Sequence, residues 1–172
     1  MRGKETLLDF AMPDSTRVIQ LGPLEGAAFS LAGDVYRVLA KGDQTGGVFT
    51  LAETRVLPGG GPPPHIHRRE DEAFYVLEGE MTFLLDGKKI VAKAGSFVQC
   101  PRGIPHAFKN ESDRPARLLV YISPPGFEKF ADELAHPVAS IESPPVPVTP
   151  TDIEKLLAVA PKYGIEILPP PQ

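Results

Sequence analysis

Between Arg17 and Ser123 the chain is written in short runs in which apolar and polar residues alternate, or in which β-branched and aromatic residues cluster. Such runs fall at Arg17–Leu21, Ala27–Leu31, Val35–Ala40, Val48–Leu57, Ala73–Leu77, Met81–Leu85, Lys89–Lys93, Phe97–Cys100, Ala107–Lys109 and Arg117–Ile122. A period of two places every second side chain on one face, so each run predicts a strand. Between them lie Gly46-Gly47, Gly59-Gly60-Gly61, Glu78-Gly79, Asp86-Gly87, Ala94-Gly95 and Arg102-Gly103. Turn signals every 8–12 residues or so predict an all-β sandwich or barrel. Leu85-Asp86-Gly87-Lys88 is a direct hairpin signal, because glycine accepts the positive φ of a primed turn. No alternation of strand and helix is present, and neither common glycine-rich phosphate loop occurs, which disfavours a nucleotide-binding α/β fold.

The pattern changes after Ser123. Phe127, Phe130, Ala131 and Leu134 recur at helical spacing behind Pro124-Pro125-Gly126. Four prolines between Ser143 and Pro150 predict an extended connector. Thr151-Asp152-Ile153-Glu154 then reads as a capping box opening a helix to about Ala160, stopped by Pro161. Isolated helices need roughly 12–15 residues to persist in water, so both are expected to dock on the β body. The expected organisation is one domain: residues 1–123 as the barrel with an N-terminal strand arm, and 124–172 as a proline-rich helical tail packed on it. The arm from Leu7 to Leu21 is expected to cover a sheet edge.

Composition sharpens this picture in three ways. The 172 residues include 20 Pro and 16 Gly but no Trp, which leaves little room for long helices. A net charge of -4 gives no electrostatic footprint for nucleic acid or an anionic membrane surface. Cys100 is the single cysteine, which excludes an internal disulfide and suits a reducing, cytoplasmic setting. Leu7–Met12 is short and broken by Asp9, so neither a signal peptide nor a membrane span is expected.

Three of the four histidines lie close to one another in the pattern. His65 and His67 are two apart, so on an extended chain their side chains share a face. Glu70, Asp71 and Glu72 follow, and His106 comes about 40 residues later behind Pro101, Gly103 and Pro105. Imidazoles with one carboxylate suit a divalent transition metal: Fe, Mn, Ni, Co, Cu or Zn. A His-x-His pair alone is more often two satisfied polar residues than a ligand pair; the partners decide. The plainest readings elsewhere are a solvated charged turn at Arg68–Asp71, a core position for Cys100 and a surface position for His136 without a partner.

The spacing resembles the cupin superfamily. Its first motif, G-x5-H-x-H-x4-E-x6-G, is met by Gly59, His65, His67, Glu72 and Gly79; its second, G-x5-P-x-G-x2-H-x3-N, by Gly95, Pro101, Gly103, His106 and Asn110. The resemblance implies a cupin β-barrel in which His65, His67, Glu72 and His106 are the metal ligands; Asp71, three residues after His67, is the alternative carboxylate. Asn110 is expected to pin a turn.

Gly-Gly-Gly-Pro-Pro-Pro-His-Ile-His, Ala-Phe-Tyr-Val-Leu-Glu-Gly-Glu and Ser-Pro-Pro-Gly-Phe-Glu-Lys-Phe are similar to single-domain cupins of the quercetin 2,3-dioxygenase type. That likeness implies ring opening of a flavonol by O2 with loss of carbon monoxide, with Glu72 also the base that takes the enol proton. Phe74 and Phe108 share strand parity with Glu72 and His106 and are the expected substrate-lining residues. The expected partners are a small enolisable or phenolic molecule, O2 and a second copy in a homodimer. The alternatives are a metal-dependent isomerase, lyase or decarboxylase, and a binding module without catalysis.

Overall fold

The structure is a computed structural model that describes residues 18–169. Two antiparallel sheets face each other. The seven-stranded sheet runs, edge to edge, β11 (His136–Val138), β1 (Ala28–Leu31), β2 (Asp34–Ala40), β3 (Thr50–Val56), β10 (Ala116–Ser123), β5 (Asp71–Glu78) and β8 (Phe97–Cys100). The five-stranded sheet runs β12 (Ile165–Ile167), β4 (His65–His67), β9 (His106–Lys109), β6 (Glu80–Leu85) and β7 (Lys88–Lys93). This is an all-β barrel, as the turn spacing predicts.

Strand alternation builds the core. Along β10 every second residue, from Ala116 through Leu118 and Val120 to Ile122, is buried. These meet Phe74 and Val76 of β5 beside them and Met81, Phe83 and Phe108 across the barrel. Phe74 stands 5.2 Å from Phe83 and 5.3 Å from Phe108, ring centre to ring centre. Each such side chain contributes about 1.5–3 kcal/mol by leaving water.

Loop chemistry then fixes where the first ligand strand starts. Gly61 has φ +131°, and a Cβ there would come within 2.1 Å of the Phe108 carbonyl oxygen, so only glycine fits this close approach. The Gly59 amide donates to the Asn110 carbonyl at 2.7 Å, and the Asn110 amide donates to Gly60 at 3.0 Å. Asn110 Nδ2 donates to the carbonyls of Val56 and Arg114, and its Oδ1 accepts from Ser112, so the side chain ties three segments together. The expected hairpin joins β6 to β7, with Asp86 at φ 47° and Gly87 at φ +76°.

Two helices follow the barrel: α1 (Phe127–Leu134) and α2 (Pro150–Val159), the latter continuing as a 3-10 turn over Ala160–Tyr163. Phe130, Ala131, Leu134, Val159, Ala160 and Ile165 pack on Leu31 and Tyr36 in a second apolar cluster. Several sequence expectations change here. Val18–Leu21 form no strand, and Arg17 with the rest of the expected arm from Leu7 lies outside the described residues. The capping box sits two residues earlier: Thr149 accepts from the Asp152 amide and Asp152 accepts from the Thr149 amide. Pro150 explains the shift, since a residue without an N–H is best placed in the first helical turn. Pro161 does not stop the chain's helical path but tightens it into the 3-10 turn. Two short strands, β11 and β12, went unpredicted; each extends one of the sheets.

Candidate metal centre

His65 and His67 are the ends of the three-residue β4, and His106 opens β9 directly opposite His65 in register. Glu72, on β5, reaches toward them from the facing sheet. One ligating atom from each of the four lies within 4.8 Å of the others, and all four residues are buried. The His65 and His106 rings are 4.4 Å apart, centre to centre. Asp71, the alternative carboxylate, instead pairs with exposed Arg102 at 2.7 Å and points away from the cluster.

Hydrogen bonds orient each ring. His65 Nδ1 is 2.9 Å from the Pro63 carbonyl and His106 Nδ1 is 3.0 Å from the Ile104 carbonyl. A carbonyl only accepts, so each Nδ1 carries the proton and each Nε2 keeps its lone pair in the neutral ring. His67 Nδ1 faces a carboxylate, Glu70 Oε2, at 3.3 Å. Toward the interior, Glu72 Oε2 lies 3.0 Å from His106 Nε2 and 3.5 Å from His67 Nε2. Glu70 therefore does not belong to a solvated turn: it is buried beneath the site. Arg68 and Asp71, which also belong to that turn, form ion pairs with Glu166 and Arg102.

The electrostatics follow from this enclosure. Burial, reinforced by the His106 and His67 charges, pushes His65 down to about 3. Burial also works against charge on His67, but Glu72 and Glu70 outweigh it and hold that imidazole above its ordinary value. For Glu72, burial alone would raise the pKa; the His67 charge and the close His106 ring, when that ring is protonated, bring it down to about 2. Cys100, opposite Glu72 in register, is pushed up to about 12 by burial and then by the Glu72 charge, and sits in the core as expected.

The donor set fits a single metal ion: three nitrogens whose protons are parked on the far side of the ring, and one ionised carboxylate. Beside it lies a cavity of about 60 Å³, walled by Phe74, Phe108, Tyr36, Phe127, Phe130 and aliphatic residues. A larger cleft of about 470 Å³ shares Leu31, Ala32, Pro63, Leu156 and Ile167 with it. Leu156, Ile165 and Ile167, all from the tail, wall the metal cavity; docking of the tail on the barrel is expected from the sequence, but β12, three residues long, shows no pattern of its own. His136 lines the larger cleft and, contrary to expectation, has a partner: its Nε2 is 2.9 Å from Asp152 Oδ1.

Comparison with known proteins agrees with the fold. Residues 52–122 match the family model described as a cupin domain (Cupin_2), a stretch that runs from β3 into β10 and contains all four clustered residues. Quercetin 2,3-dioxygenase of Bacillus subtilis (strain 168) is 27% identical over 141 residues, covering 82% of this chain and 42% of that protein. The chain thus spans less than half the length of this curated relative. A predicted oxalate decarboxylase from Thermotoga maritima superposes with a TM-score of 0.55 at 23% identity, over 63% of this chain and 99% of that one. A sugar phosphate isomerase from Silicibacter pomeroyi superposes with a TM-score of 0.52 at 26% identity, over 62% of this chain and 75% of its own.

Proposed function

We propose that this protein is a metal-dependent dioxygenase-like enzyme acting on a small, largely apolar, enolisable or phenolic molecule with O2 as co-substrate. His65, His67, His106 and Glu72 would hold the ion. A divalent metal bound there supplies a Lewis acid for an enolate or phenolate oxygen. Glu72, ionised throughout the physiological range, offers the carboxylate oxygen that accepts the substrate's proton. Phe74 and Phe108 would contact the reacting ring, and the apolar wall keeps water from it.

The observation that carries this reading is the wall chemistry. Among the described residues, no Lys or Arg lines either the metal cavity or the adjoining cleft. Beyond the metal itself, a dicarboxylate or a sugar phosphate would find no basic side chain to pair with, whereas a neutral planar molecule finds five aromatic side chains. The 60 Å³ next to the ligands admits the reacting end of such a molecule, and the 470 Å³ cleft beyond the shared wall has room for its body.

The likeness to quercetin 2,3-dioxygenase over most of this chain supports the choice of O2 chemistry. Oxygen uptake by metal-loaded protein with a panel of flavonols and related enols is the direct test; no uptake with any common divalent metal sinks the proposal. A non-redox lyase or isomerase is the second reading, favoured by the polarising metal set alone, and turnover that continues unchanged without oxygen selects it. The proposal extends to a homodimer in a reducing cytoplasm. Exposed Tyr75 and Phe97, neighbours in register on the seven-stranded sheet, support the first, and unpaired Cys100 the second.

A further inference from the structure

The three histidines are not held alike. His65 and His106 each rest Nδ1 on a neutral backbone carbonyl, while His67 rests Nδ1 on a carboxylate, Glu70. Glu70 is only 6% exposed although it sits in a segment of four charged residues, Arg68 to Asp71. Its burial depends on the start of α1. Gly126, the residue before that helix, lies so close that a Cβ on it would stand 3.1 Å from Glu70 Oε1. The post-barrel segment has thus left a glycine-sized space for this carboxylate under the ligand strand. Burying an anion is costly unless something compensates it. Around Glu70 that compensation is the His67 ring edge, the more distant charge of Arg102 and, when a divalent ion is bound, the positive charge carried through the ring.

We infer that Glu70 is a positioning and tuning residue for the metal: by accepting the Nδ1 proton of His67 it fixes that ring's tautomer and makes His67 the strongest of the three nitrogen donors. A carboxylate polarises the N–H bond more than a carbonyl does, shifting electron density toward Nε2. It also alters the charge count. A divalent cation with Glu72 alone leaves one net positive charge in a buried apolar chamber; adding Glu70 brings the ensemble to neutrality. An environment with that extra negative charge favours the more oxidised state of a redox-active ion. The cupin motif spacing contains no residue with this role, since Glu70 falls among its unspecified positions. The inference rests on the four-ligand assignment above.

Cobalt(II) titration of purified, metal-stripped full-length protein tests it, with affinity read by competition against a chromophoric chelator. Glu70→Gln keeps an acceptor oxygen but removes the charge, and is expected to lower cobalt affinity roughly 10–100-fold. Its visible spectrum should keep the wild-type coordination pattern, whereas that of Glu72→Gln should not. In proton NMR of the cobalt form, the exchangeable Nδ1–H resonance of His67 should shift or broaden in Glu70→Gln while those of His65 and His106 stay in place. Gly126→Ala, which crowds Glu70 without touching its charge, should give a smaller loss in the same direction.

Wild-type affinity together with an unmoved His67 resonance in Glu70→Gln overturns the inference and leaves the ligand set intact. Failure of the wild-type protein to bind one cobalt per chain overturns the ligand set itself and the inference with it. Should Glu70→Gln fail to fold, Glu70→Asp serves, with an affinity between those of wild type and Gly126→Ala expected; Glu70→Asp at wild-type affinity with an unmoved resonance counts against the role.

Discussion

Two acidic side chains are buried to nearly the same depth in this barrel, and they end in opposite states. Glu72 is 7% exposed and its pKa falls to about 2; Asp34, at the start of β2, is 1% exposed and its pKa rises to about 7. Desolvation pushes both upward, so depth cannot be the difference. Glu72 meets the His67 and His106 ring nitrogens at 3.5 and 3.0 Å. Asp34 has no hydrogen-bond partner on either carboxylate oxygen; the Gly61 amide comes near enough to offset part of the burial but not to complete a bond. Compensation, not burial, decides which carboxylate is charged, and only one of the two sites has been provided with it.

The largest effect on that contrast is expected from removing the compensating partners. His106→Ala should abolish stoichiometric metal binding, measured by elemental analysis after dialysis; a full complement of metal in this variant would break the assignment. Isosteric neutralisation of the two acids should then have opposite signs in metal-free protein. Glu72→Gln leaves the imidazoles without their anion and should lower the melting temperature at pH 7. Asp34→Asn should raise it at pH 8. The sign follows from linkage: a carboxyl whose folded pKa exceeds its unfolded value costs stability as pH rises from about 4 toward about 7, and the cost is constant above that. At about 1.4 kcal/mol per pH unit the ceiling is about 4 kcal/mol, or a rise of at most roughly 8–16 °C for a chain of this size. Identical melting of Asp34→Asn and wild type from pH 4 to 8 would show that the carboxyl is solvated after all.

Acidification sharpens the same comparison from the metal's side. Protons compete with the ion for Nε2; Glu72 and Glu70 hold His67 above its ordinary value, while burial holds His65 below it. Bound metal is therefore expected to leave as pH falls through the imidazole range near ~6.5 and below. Retention of full metal to about pH 4 by equilibrium dialysis would contradict a histidine site. The smallest effects lie away from both acids. Thr149→Ala, which removes the cap of α2, should cost about 1 kcal/mol in chemical denaturation. Arg68→Ala, which deletes the exposed pair with Glu166, should cost no more than about 1 kcal/mol.

Much of this architecture was legible in the residue order. Alternation and glycine-marked turns gave the strands from Ala28 to Ser123, because a half-buried sheet imposes its period on the sequence. Motif spacing singled out the four residues that the structure brings together, because a ring that must meet a fixed point tolerates few insertions. The remainder rests on contacts that leave no period. Three-residue strands such as His136–Val138 and Ile165–Ile167 are too short to show alternation, and their pairing is decided by the tail's packing on Leu31 and Tyr36. Glu70 stands among charged neighbours and reads as solvated until the space beside Gly126 is seen. Asp34 resembles an ordinary turn acid after Gly33, and only the enclosing triglycine loop makes it costly.

The pairing of β12 with β4 carries a consequence for biosynthesis. Ile165 lies opposite His67 and Ile167 opposite His65, so the outer edge of the ligand-bearing strand is covered by residues about 100 positions downstream. At a translation rate of roughly 5–20 residues per second, the His-x-His segment is synthesised about 5–20 seconds before its covering strand. For that interval β4 lacks its outer neighbour, so the sheet edge that carries His65 and His67 is the last of the barrel to be covered.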